Sequence, residues 1–142
     1  MNDDKEHVTK LLRDCIIAED VLRKNPWSWK ACHPKPDSPE GIEYNRLHTI
    51  LYDADAKLWM ATDFEYDKDG FRDIVWNWRY WKVMARKCCW FQRFGTTYRA
   101  GRTMKKLHKA EEEFARVCGL LDIYRSPCSY IEEQFPNLKS NA

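Results

Sequence analysis

The sequence predicts an all-α fold: an irregular bundle of about four long helices plus a short C-terminal helix, with a Pro-rich loop between the first two helices. Three observations lead there. Apolar residues recur at steps of three and four over several long stretches, as in helices that bury one face. Five Gly and six Pro in 142 residues are too few for the many turns of an all-β domain. Four amphipathic segments joined by short links close most simply as one bundle. The chain length favours a single domain, expected over residues 1–136 with a frayed tail at 137–142.

The first helix is expected over about residues 3–24. Val8, Leu11, Leu12, Cys15, Ile16 and Leu22 form its apolar stripe, and Asp3, Asp4 and Glu6 in its first turn complement the macrodipole. Arg23 and Lys24 suit its C-terminal end, and Asn25-Pro26 stops it. Residues 25–40 contain Pro26, Pro34, Pro36 and Pro39, a density that precludes a helix and predicts a long loop. Trp27 and Trp29 within it argue for a loop pinned to the core.

Ser38 reads as an N-cap, with Pro39 at the first helical position. The second helix follows over about 39–62, burying Leu47, Ile50, Leu51, Ala54, Leu58 and Ala61. After an acidic loop, the third helix spans about 69–94 with two apolar stripes. One is Phe71, Ile74, Trp78, Trp81, Ala85 and Cys88; the other is Trp76, Tyr80, Val83, Trp90 and Phe94. Such a helix is central to its fold or offers one face to a partner. Gly95 ends it. The fourth helix starts at Thr96 or Thr97 and runs to about 122, its apolar line being Leu107, Ala110, Phe114, Val117, Cys118 and Leu121. Ser129 and Glu132 have capping-box spacing for a last short helix that Pro136 closes.

Net charge conceals a strong segregation. Residues 1–73 carry 11 basic and 16 acidic side chains, residues 74–110 carry 10 basic and none acidic, and residues 111–142 carry 3 and 6. The acid-free segment interleaves its cations with Trp76, Trp78, Trp81, Trp90, Phe91, Phe94 and Tyr98. Cations neutralise phosphates with counterion release, and an exposed aromatic stacks on an unpaired base. The expected working surface is therefore Arg79, Lys82, Arg86, Trp90, Arg93, Phe94, Arg99, Arg102, Lys105, Lys106 and Lys109. The plainer alternative is a self-neutralised surface, with Asp63, Glu65, Asp67, Asp69 and Glu111–Glu113 packed against the basic stripe and the aromatics in the core.

Other chemistry finds little footing. The run from Glu65 to Asp73 has the alternating oxygens of a calcium loop, but Trp76 stands where a bidentate carboxylate is needed. Cys32-His33 and the scattered Cys88, Cys89, Cys118, Cys128 and His108 lack the paired spacing of a zinc site, so no metal and no cofactor is expected. No catalytic signature is present. Glu40 and Glu43 lack a matching carboxylate pair on the next helix, and a Cys–His nucleophile from Cys88 or Cys89 with His48 or His108 is a generic combination.

The six cysteines lack a disulfide framework, no apolar run approaches a membrane span, and the acidic start does not read as a signal peptide; a cytoplasmic location and no membrane partner are expected. The resulting expectation is a non-enzymatic protein whose partner is nucleic acid or a nucleoprotein. The alternative is a small inhibitor or adaptor docking on an acidic protein surface. In size and build the latter resembles accessory or anti-defence proteins of mobile elements, by analogy alone. A homo-oligomer is compatible with either.

Overall fold

The structure, a computed structural model, describes residues 2–30, 32–63, 70–91 and 97–126; at 2, 3, 29, 88–91 and 97–100 it describes the course of the helix and not the side chain. The fold is all-α. The helices are α1 (Asn2–Lys24), α2 (Pro39–Ala61), α3 (Phe71–Phe91), α4 (Thr97–Val117) and α5 (Leu121–Arg125), and no strand occurs among the described residues. They fall into two compact units. One comprises the described residues up to Ala61 together with those from Asp122 onward; the other runs from Thr62 to Leu121.

In the first unit α1 packs along α2. The α1 stripe is buried as its spacing predicts except at Leu22, which is half-buried, and it is wider than the spacing alone suggests, since Ile17, Ala18 and Val21 are buried beside Val8, Leu11, Leu12, Cys15 and Ile16. On α2, Leu47 and Leu58 are buried together with Tyr44, whereas Ile50, Leu51, Ala54 and Ala61 are half-buried. Ser38 caps α2 as expected: its Oγ accepts from the Gly41 amide at 3.0 Å and donates to the Lys35 carbonyl at 2.6 Å.

The Pro-rich loop departs from the expectation in one respect, because Pro26–Trp29 forms a single turn of 3-10 helix packed against α1. Pro26 sits at the start, where its missing N–H is no loss, and the Asn25 side chain accepts from the Trp27 amide at 3.0 Å. Lys30 Nζ lies 4.0 Å from the centre of the Trp27 ring. The prolines forbid a long helix but not one capped turn.

In the second unit α3 packs along α4. Phe71, Val75, Trp78 and Ala85 from α3 are buried, as are Leu107, Ala110, Phe114 and Ala115 from α4. The fully buried Phe114 ring meets Phe71 edge-on at 6.1 Å and Trp78 at 5.1 Å between centroids. The fourth helix is shorter than its apolar line suggests. Gly119 turns left-handed at φ 71°, its amide donates to the Arg116 carbonyl, and the Leu120 amide donates to the Ala115 carbonyl at 2.8 Å. These two bonds form a Schellman stop, after which the chain restarts as α5. The predicted helix at Ser129–Pro136 and the tail at 137–142 lie outside the described residues, as does Gly95.

Candidate binding surface

Helix α3 carries two apolar stripes, and they meet different fates. Of the first, Phe71, Trp78 and Ala85 are buried with Val75 beside them, Ile74 and Trp81 are half-buried, and the side chain of Cys88 lies outside the described residues. The described members of the second are left open: Trp76 is 42%, Tyr80 57% and Val83 37% exposed. Steps of four and three keep these residues on one face, and the exposed Lys87 takes the next position along it. Two arginines hold Trp76, with the Arg72 and Arg79 guanidinium carbons 5.5 and 5.3 Å from the centre of its ring. Tyr80 meets Trp81, 5.0 Å away between centroids and nearly perpendicular.

The nominated cations divide by environment. Arg79 donates from Nη1 to Oγ1 of the buried Thr62 at 2.8 Å, so it anchors the start of the unit while flanking Trp76. Lys82 is half-buried, its ammonium 4.9 Å from the ring centre of the core residue Trp78. Lys106 crosses from α4 to lie 4.6 Å over Trp81 of α3. Arg86, Arg102, Lys105 and Lys109 are exposed, the last three sharing the outward face of α4 at steps of three and four. The side chains of Trp90 and Arg99, and residues Arg93 and Phe94 altogether, lie outside the described residues.

Glu113 turns to Arg116, whose Nε donates to it at 3.0 Å, and this hydrogen bond holds the Glu113 carboxyl below its usual 4.5. Glu111 lies 3.9 Å from Nδ1 of His108. Among the described residues, no carboxylate forms an ion pair with Arg86, Lys87, Arg102, Lys105, Lys106 or Lys109. Of the acids ahead of the segment, Glu65, Asp67 and Asp69 lie outside the described residues, and with them the calcium-like run.

The sequence reading places Trp76 and Tyr80 on the second stripe but outside the expected working surface, and it leaves Lys87 out of that surface. The available signal was the four-residue periodicity itself: positions 76, 80, 83 and 87 form a line that the core stripe does not need. Elsewhere, Glu43 of the spaced carboxylate pair is clamped by Arg46 at 2.7 and 3.0 Å. Cys32 is an exposed thiol and Cys15 lies buried. Among the described residues no three His, Cys, Asp or Glu side chains gather as a metal set, and no helix is long and apolar enough to cross a membrane. The chain matches no protein-family model, and no match was found among curated proteins or solved structures.

Proposed function

We propose that this chain is a non-enzymatic binding protein that engages nucleic acid or a nucleoprotein through α3 and α4, in a cytoplasmic setting that would keep its thiols reduced. One observation carries the reading. Exposed cations of an acid-free segment, Arg86, Lys87, Arg102, Lys105 and Lys109, stand without carboxylate partners among the described residues, on α4 and on α3, which also exposes Trp76 and Tyr80. Unpaired cations are available to phosphates, and each phosphate neutralised releases counterions.

The test is fluorescence anisotropy of labelled single- and double-stranded DNA and RNA, titrated with protein from roughly 50 to 200 mM salt. Saturable binding is expected, with affinity falling log-linearly in salt, and Lys105→Glu or Lys109→Glu lowers the slope by about one. Absence of binding to all four probes at the lowest salt overturns the reading.

Exposure of Val83 favours a second reading, since an aliphatic side chain adds nothing to phosphate contact. In it the chain is a small inhibitor or adaptor that docks this face on an acidic protein surface. Binding energy would then concentrate in Trp76, Tyr80 and Val83 rather than spread over the lysines.

A further inference from the structure

We infer that the nucleic acid recognised by α3 is single-stranded, its unstacked bases seated on Trp76 and Tyr80; this rests on the nucleic-acid reading above. The argument begins with ring faces. Inside a duplex the faces of the bases are covered by their neighbours, and a protein reads edges with hydrogen-bonding side chains. The exposed line Trp76, Tyr80, Val83 offers aromatic and aliphatic surface where an edge reader would need amides or guanidinium forks. Single strands, by contrast, expose every ring face, and aromatic platforms beside cations are how they are held without sequence preference.

Spacing points the same way. Trp76 and Tyr80 are one helical turn apart, about 6 Å along the axis. Stacked bases on one strand are only about 3.4 Å apart. Two successive bases therefore reach the two platforms only after separating from each other, which an extended single strand does freely and a duplex does not.

Both platforms are held in place before any ligand arrives. Arg72 and Arg79, one turn before and one turn after Trp76 in sequence, stand 5.5 and 5.3 Å from its ring centre, and Trp81 meets the Tyr80 ring nearly at right angles. Those two arginines keep positive charge beside the first base, and the exposed Lys87 lies about 16 Å further along the same face, so a strand running along α3 meets charge at both ends. Charge complementarity is thus built around the aromatic line rather than apart from it.

The experiment compares an oligo-dT and an oligo-rU of twelve nucleotides with a hairpin duplex of equal charge, by anisotropy and by intrinsic tryptophan quenching. Wild type is expected to bind the single strands at least tenfold more tightly than the duplex, with quenching. Trp76→Ser and Tyr80→Ser should each weaken single-strand binding by about 5- to 100-fold and leave duplex binding within twofold. Trp76→Phe should retain most of the affinity while losing part of the quench, and circular dichroism verifies that each variant is folded. Equal affinity for duplex and single strand, or serine variants that bind single strands as wild type does, overturns the inference and leaves the nucleic-acid reading standing. Absence of binding to every probe overturns both, and points to the protein partner.

Discussion

At Gly41 a hydrogen atom is all the room the fold leaves. A Cβ there would stand 1.9 Å from the Lys35 carbonyl oxygen and 3.1 Å from the Pro36 Cα, both backbone atoms that cannot swing aside. Gly41→Ala must push the loop off the first turn of α2 or break the Ser38 cap, a loss of about 1–3 kcal/mol. Gly101, in the interior of α4 with nothing within 4 Å, is the opposite case, and Gly101→Ala should stabilise by about 1 kcal/mol. Thermal melts of the two variants should move in opposite directions. His48 supplies a second test. Its ring meets Tyr44 at 4.4 Å and Tyr52 at 6.0 Å, and burial, followed by the charge of His33, pushes its pKa below 6.5. The folded state then binds fewer protons than the unfolded one between that lowered value and 6.5. Stability is full above pH 6.5, declines as pH falls through that window and levels off beneath it. Urea midpoints across that range should show the decline in wild type and a smaller one in His48→Phe.

Substitution should act differently on the two sides of α3, the one packed on α4 and the one left exposed. Phe114→Ala in α4 removes the ring that Phe71 and Trp78 pack on, a fully buried side chain, and should cost about 3–5 kcal/mol in urea unfolding. Tyr80→Ser on the far face of α3 should stay within about 0.5 kcal/mol. Most of the helical architecture was legible, because α1 to α4 each repeat apolar residues at steps of three and four, and Ser38-Pro39 announces its helix start. The missed features are local and have local causes. Gly119 sits inside a run of good apolar spacing, and only its left-handed backbone reveals that α4 stops there. The turn at Pro26–Trp29 depends on one Asn25 cap, which a count of prolines does not register.

Taken as a whole, the molecule separates its charge by sequence, and that much is plain from the residue count. Which cations remain available is not, because linear spacing does not say which side chain lies over a ring. Arg79, Lys82 and Lys106 all belong to the acid-free run, yet each is drawn onto an indole by the fold. Arg86, Lys87, Arg102, Lys105 and Lys109 keep their charge facing water, so the salt slope should follow these five more closely than the full ten.

The open stripe on α3 also bears on how such a chain changes over generations. Phe71, Val75 and Trp78 face the interior while Trp76, Tyr80 and Val83 face out, so adjacent codons answer to unrelated demands. On the proposed reading, substitutions at 76, 80, 83 and 87 would change binding with little toll on folding, whereas those at 71, 75 and 78 would destabilise the fold whatever the partner. Were that reading right, a chain built on this helix could exchange its target while its scaffold stays still.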